Sequence, residues 1–283
     1  MRIASVFSIL LGCCLTLTAC GSSQEAAPDI VKKDISTWAL PLDPYQDPPI
    51  SLLGYASDLV RADCLKNAGF EYPVVPYNEN APTKATRNEV GRRLFNPDIA
   101  RSFGYHEPRS QRISEKELQE RQEPTGSEYI QAADKCEALV ADAGIDWEEF
   151  SNKTAQEIAW NLAPEKNKTV VAATQRWREC MMPLGIPALP DTPDKMPGEV
   201  LHNTFGLETA SSWDSPSASA EEIRIATADA ECRESSGYSQ ALYDAEFAAQ
   251  EKAVAEHATE LAPLLERNRK SLEAARKIIA ERG

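Results

Sequence analysis

Apolar positions along this chain recur mostly at steps of three and four, so the pattern predicts helices. Leu52, Leu53, Ala56, Leu59, Val60 and Cys64 lie on one such face, with Gly69 as a stop signal after Asn67. The stretch before it, Leu40-Pro-Leu-Asp-Pro-Tyr45 with Pro48-Pro49, reads as extended, because each proline disfavours helix at the residue before it. Asn88 to Phe95 reads as a short helix. Asn96-Pro97-Asp98 reads as a cap and Ile99 to Phe103 as a further helical turn, broken at Gly104. Ser127 is placed to cap a helix from Glu128 to Ala143, with Ile130, Ala133, Cys136 (or Glu137) and Val140 along one face. Residues 153–163 and Val170–Met182 give two more helices, the second with Val170, Thr174, Trp177 and Met181 on its buried face.

The Pro- and Gly-bearing stretch 183–217 reads as loop. Ser219 and Glu222 have the spacing of a capping box. From Ala241 to Arg282 strong helix formers dominate. Pro263 should kink or break that run, and Leu261, Leu265, Leu272 and Ile279 form an apolar seam. Such a seam either packs on the body or meets a partner helix. Alternation at period two is nearly absent, so the fold class is mostly α.

The N-terminus departs from this amphipathic pattern. Arg2 is followed by an almost wholly apolar run from Ile3 to Leu17, then Leu17-Thr18-Ala19-Cys20. A basic start, an apolar centre and small residues at the end form a secretory signal. The last four residues resemble the bacterial lipoprotein lipobox, which implies cleavage after Ala19 and lipidation of Cys20. Residues 1–19 are then a signal peptide and 20–38 a flexible tether. The mature chain would sit on the extracytoplasmic face of the cell membrane, held by lipid.

Charge sharpens that reading. The chain has 30 Lys+Arg against 44 Asp+Glu, a net charge of −14. Nucleic acid is therefore not an expected partner, because phosphate recognition needs a basic footprint. An acidic body also gains nothing from an anionic lipid surface, which leaves the lipid to do the anchoring.

Of 7 cysteines, Cys13 and Cys14 leave with the signal and Cys20 takes the lipid. Cys64, Cys136, Cys180 and Cys232 remain, and four cysteines in an exported chain suggest two disulfides with three arrangements open. An internal repeat favours Cys64–Cys136 and Cys180–Cys232. Cys64 is followed by Gly69-Phe70 and Cys180 by Gly185-Ile186, each before Pro-rich chain and a second helix that carries the other cysteine. The repeat divides the chain into a first disulfide-braced helical unit, 39–152, and a second, 153–283, with the long C-terminal helix.

These features together resemble a group of secreted actinobacterial lipoproteins of uncharacterised function. The residues that carry the likeness are Leu40-Pro-Leu-Asp-Pro-Tyr45, Cys64 with Gly69-Phe70, Gly91-Arg92-Arg93 and Gly104-Tyr105-His106. Trp177-Arg-Glu-Cys180-Met181 and Ala228-Asp229-Ala230-Glu231-Cys232 complete it. Leu65, where Met often stands, and Pro263 depart from the pattern. The resemblance implies a helical envelope protein without assigned catalysis, sometimes associated with transport systems.

Candidate chemistry is sparse. No G-x-S-x-G or S-x-x-K nucleophile motif occurs in the sequence, and the reading is non-enzymatic. His106 could serve as an acid–base group, or stack beside Tyr105 over the first disulfide. Arg92 and Arg93 could hold an anion or pair with local acids. Arg92, Arg93, Tyr105 and His106 are thus the candidate binding residues. Asp142, Asp146, Glu148 and Glu149 lack the alternate spacing of a calcium loop, so no metal or other cofactor is implied. The expected function is a non-catalytic binding or adaptor module of the envelope, with an envelope protein partner reached through the C-terminal helix. The alternatives are a solute-binding lipoprotein of a transporter and a wall-directed hydrolase using His106 with a carboxylate.

Overall fold

In the computed structural model, the described residues are 31–74, 77, 86–88, 90–106, 126–145, 147, 153–207 and 217–283. The signal segment and Cys20 lie outside them, as do Asp146, Glu148 and Glu149. The described chain is mostly helical. Its helices are α1 (Ile50–Asn67), α2 (Pro97–Phe103), α3 (Ser127–Asp142), α4 (Thr154–Trp160), α5 (Lys168–Met181), α6 (Gly198–Thr204), α7 (Ala220–Ser235), α8 (Tyr238–Glu256) and α9 (Ala258–Arg282). Among the described residues no strand forms, and the β-type pairing is an isolated bridge between Arg87 and Arg93.

Local chemistry sets several of the helix ends. Asn96 caps α2 by accepting from the Ile99 amide at 2.9 Å, and Pro97 follows at a position where no amide is needed. Asn167 caps α5 through the Thr169 amide. The end of α1 explains the repeated Cys-to-Gly spacing. Gly69 takes φ 87°, its amide bonds Lys66 O, and the Phe70 amide bonds Leu65 O at 2.9 Å. That is a Schellman turn, and it drops the Phe70 ring edge-on against Tyr129, 5.4 Å between centroids. Gly185 takes the same left-handed conformation after Cys180.

Each pair of helices is pinned by a disulfide. Cys64 bonds Cys136 between α1 and α3, and Cys180 bonds Cys232 between α5 and α7. The first bridge lies among Leu65, Phe70, Tyr72 and Tyr129, the second beside fully buried Trp177 and Met181.

The cores ignore the expected boundary between 152 and 153. Leu53, Ala56 and Val60 of α1 pack with Val140 and with Ala275 and Ile278 of α9. Ala100 and Tyr105 pack with Leu201, Ile225 and Ala226. Leu42 and Tyr45 pack with Ala155, Leu261 and Leu264. The two braced units therefore share apolar cores. The end of the expected 20–38 tether is packed instead: the Asp34 amide donates to Tyr243 Oη, and Trp38 Nε1 donates to Glu246, so this part lies on α8.

The C-terminal helix packs on the body, and its buried face differs from the expected seam. Leu261, Leu264, Asn268, Ser271, Ala275 and Ile278 are buried, a strict alternation of three and four. Two of these positions are polar. Asn268 donates to the carbonyls of Pro44 and Gln46, which fastens the 43–47 turn to α9. The helix break falls at His257, and Pro263 is accommodated inside α9.

Five further expectations change. Asn88–Phe95 is not a helix: the Asn88 side chain accepts from the Arg92 amide at 2.8 Å, and Gly91 at φ 78° closes a turn instead. Ser127 is the first residue of α3, not its cap. Tyr129 is buried on α3, whereas Ile130 is 57% exposed. Ala173, not Thr174, is buried on α5, and the 183–217 stretch contains α6.

Candidate functional site

The motif Gly104-Tyr105-His106 follows α2 and faces the start of α7. Ser219 caps α7 by accepting from the Glu222 amide at 3.1 Å. In a reciprocal capping box the Glu222 side chain would return to the cap residue. Here it turns to the neighbouring loop. Its Oε1 accepts from the amides of Tyr105 at 2.7 Å and His106 at 3.1 Å, and lies 2.7 Å from His106 Nδ1. Two amides already donate to this oxygen, so the imidazole must donate as well, which places its proton on Nδ1. Gly104 makes the approach feasible. It sits at φ 57°, and a Cβ there would meet Glu222 Oε1 at 2.5 Å.

A second buried carboxylate lies two turns further along α7. Asp229 Oδ1 accepts from Trp177 Nε1 at 2.8 Å and Arg233 Nε at 2.9 Å. Its Oδ2 accepts from Tyr105 Oη at 3.2 Å and Arg233 Nη2 at 2.8 Å. Four donors thus saturate one fully buried carboxylate. Burial works against the Arg233 charge, but Asp229 outweighs it and holds that guanidinium above its usual pKa. Burial, and then the adjacent Asp229 charge, push the Tyr105 phenol well above its ordinary range. Arg233 also lies 4.8 Å over the Phe95 ring, and Phe95 stacks on Tyr105. Arg93 donates to the carbonyls of Tyr105 at 2.8 Å and His106 at 3.2 Å, closing the clasp from the loop side.

This clasp joins α2, α5 and α7. His106 is 5% exposed and Glu222 1%, so the pair does not face solvent as a wall-directed acid–base pair would need to. Nor does His106 stack over the first disulfide. Tyr105 belongs to the apolar cluster of Ala100, Leu201 and Ile225, away from Cys64 and Cys136.

Arg92 points the chemistry elsewhere. Its Nη2 pairs with Asp43 Oδ1 at 2.8 Å, while its Nη1 is buried without a hydrogen-bond partner. It lines a cleft of about 500 Å³ between the 40–46 segment, α4, the 164–166 turn and α8. Glu246 and Gln250 of α8 line the same cleft, with Gln156 and Trp160 of α4. Burial pushes the Glu246 carboxyl above its usual range, although the hydrogen bond from Trp38 and the Arg92 charge oppose this. Gln250 is buried and accepts from the Leu42 amide at 3.0 Å. Trp160, by contrast, is 81% exposed.

The four candidate binding residues therefore part company. Arg93, Tyr105 and His106 enter the clasp, and Arg92 enters the cleft. Glu222 and Asp229 were present in sequence as a capping box and a family-like motif, without a signal for their partners. Glu246 and Gln250 sit on a helix whose amphipathicity is weak, so nothing in the pattern marked them. Trp160 carried a usable signal, as a large aromatic at the end of a short helix before Pro164. Among the described residues no group of three or more His, Cys, Asp or Glu is arranged to hold a metal ion, and no helix is long and apolar enough to cross a membrane.

No protein-family model matches this chain, and neither a curated protein nor a solved structure does.

Proposed function

We propose that this chain is a lipoprotein of the extracytoplasmic membrane face, anchored through Cys20, which acts as a non-catalytic binding module with the Arg92 cleft as its ligand site. The observation that carries the reading is the cleft itself. It combines partly satisfied polar groups, Arg92, Glu246 and Gln250, with an indole left in water at Trp160. Ligand sites of this size join apolar walls to a few convergent polar groups. The clasp supports the reading from the other side, since its carboxylates are engaged in holding helices together.

The long C-terminal helix buries the face of Leu261, Leu264, Ala275 and Ile278 against α1 and the 42–45 segment, which leaves its remaining faces for an envelope partner. A solute-binding lipoprotein serving a transporter is the second reading. It rests on the same cleft, which would take the solute.

Two measurements test the proposal. Palmitate labelling and membrane fractionation of cells should show a lipidated, membrane-bound chain that Cys20→Ser releases; an unlabelled soluble protein would remove the anchor. A thermal-shift screen of small polar solutes should yield a ligand that raises Tm for the natural sequence and not for Trp160→Ala. A ligand whose effect survives that substitution would place the site elsewhere.

A further inference from the structure

The geometry points to a neutral saccharide as the occupant of the cleft, stacked on Trp160 and hydrogen-bonded by Arg92, Gln156 and Glu246. This rests on the cleft being a ligand site and adds the chemical class that fits it.

Charge decides against ionic ligands. The cleft presents Arg92 together with Glu246 and Glu165, and the Arg92 guanidinium is already paired with Asp43. An incoming anion would meet more carboxylate than cation. An incoming cation fares little better. Asp43 is held by Arg92 and by the Leu40 amide, and Glu246 is held by Trp38 and disfavoured as an anion by its burial. Neither carboxylate is available as a strong counter-ion, and Glu165, the remaining acid of the cleft, is exposed to water, where a single ion pair contributes little.

A wholly apolar ligand fails for a different reason. It would seal Arg92, Glu246 and Gln250 from water without returning hydrogen bonds, leaving each group unpaired at a cost. Arg92 Nη1 is already buried without a partner. The occupant must therefore bring acceptors for a guanidinium and amides, and donors for a carboxylate.

Sugar hydroxyls do both. Each donates and accepts, and neighbouring hydroxyls match the paired atoms of guanidinium, amide and carboxylate side chains. Sugars also carry a flat face of C–H groups, which an indole covers well. Trp160 supplies an exposed indole at the end of α4, and Ala159, Leu162 and Pro164 continue the apolar side. A volume of about 500 Å³ accommodates a disaccharide and excludes a long chain unless it threads through.

Saturation-transfer NMR on the purified full chain tests this, with maltose, cellobiose and N,N′-diacetylchitobiose as neutral probes. Gluconate and the dipeptide Ala-Lys serve as anionic and cationic controls. At least one disaccharide should show transfer to its ring protons with millimolar affinity. Trp160→Ala should weaken that binding tenfold or more with Tm unchanged, and Gln156→Ala should weaken it by a smaller factor. Disaccharide binding that Trp160→Ala leaves intact would overturn the inference. If gluconate or Ala-Lys binds in a Trp160-dependent way and no disaccharide does, the saccharide class is wrong while the cleft stands as a ligand site. If no probe binds at about 10 mM, where even millimolar affinity would register, the saccharide inference falls. The solute screen then decides on the cleft separately.

Discussion

Arg92 and Arg93 are neighbours in the chain and opposites in the fold. Arg93 donates to backbone carbonyls at the end of the α2 loop, inside a clasp in which both oxygens of Asp229 and one of Glu222 accept hydrogen bonds. Arg92 faces the cleft with one guanidinium nitrogen tied to Asp43 and another lacking a partner. Both regions contain Arg, carboxylate and Trp. The clasp also keeps one buried nitrogen without a hydrogen bond, His106 Nε2, so what separates the two regions is the saturation of Asp229 and the exposure of the tryptophan. Asp229 accepts from Trp177, Tyr105 and Arg233 and has no capacity left for a ligand. In the cleft, the corresponding tryptophan stands in water and the polar groups retain capacity. Side-chain type alone does not distinguish a brace from a binding site; the burial of the tryptophan and the saturation of the carboxylate beside it do.

The comparison breaks most readily at Asp229. Asp229→Ala should cost about 3–5 kcal/mol, because it strands the Arg233 charge in a buried site. Urea unfolding followed by circular dichroism would measure it. A loss below about 1 kcal/mol would mean that the clasp is not the brace described above. The second disulfide comes next. Removing Cys180–Cys232 or Cys64–Cys136 as paired serines should each cost about 4 kcal/mol, since loops of 52 and 72 residues differ little in closure entropy. A distinctly larger loss at Cys180–Cys232, measured in the same way, would show that the bridge also supports the Trp177–Asp229 network.

Gly104→Ala should cost about 2 kcal/mol or more, through its positive φ and through the collision of the new Cβ with Glu222. A double-mutant cycle separates the two causes. In a Glu222→Ala background the collision disappears and only the backbone strain remains, so the cost of Gly104→Ala should fall. Equal costs in both backgrounds would mean that Gly104 is there for its backbone alone.

Much of the scaffold was legible in sequence because it is local. The Cys-to-Gly repeat marks a Schellman turn followed by a buried ring, and Ser219 marks the cap of α7. Reading failed where one residue's partner is distant or where polar groups take core positions. Glu222 has the spacing of a capping box, but its carboxylate serves Tyr105 and His106, 116 or more residues away. The α9 seam was misread because Asn268 and Ser271 occupy inward positions that a hydrophobic pattern cannot mark. Asn88 and Gly91 redirected an expected helix into a turn through a side-chain hydrogen bond. The cleft was the least legible part. Its residues come from four separate segments, and the hydrophobic pattern of no single segment shows that they meet.

The cleft makes a pH prediction that the clasp does not. Burial raises the folded-state pKa of Glu246, so the folded chain holds that proton more tightly than the unfolded chain. The resulting stabilisation is fully present below the ordinary glutamate range and is lost as pH rises through the raised folded value. Glu246→Gln should therefore gain stability relative to the natural sequence across that window, and the difference should level off above it. Urea midpoints taken at intervals from acid to neutral pH would show this. A difference that shrinks with rising pH would reverse the assignment and mean that the ionised form is favoured in the fold.

Trp160→Ala should have the smallest effect on stability and the largest on binding. An 81% exposed side chain has little packing to lose, so the expected change is within about 0.5 kcal/mol. The buried tryptophan of the clasp gives the contrast. Trp177 is fully buried and donates to Asp229, and Trp177→Ala should cost about 3–5 kcal/mol through the cavity it leaves, with an added cost for the lost bond. Paired urea curves test both at once. If Trp160→Ala unfolds the chain as readily as Trp177→Ala, then Trp160 is a structural residue and the cleft loses its platform. If Trp160→Ala leaves stability unchanged and abolishes saccharide contact, the exposure of that indole is explained by a ligand that covers it.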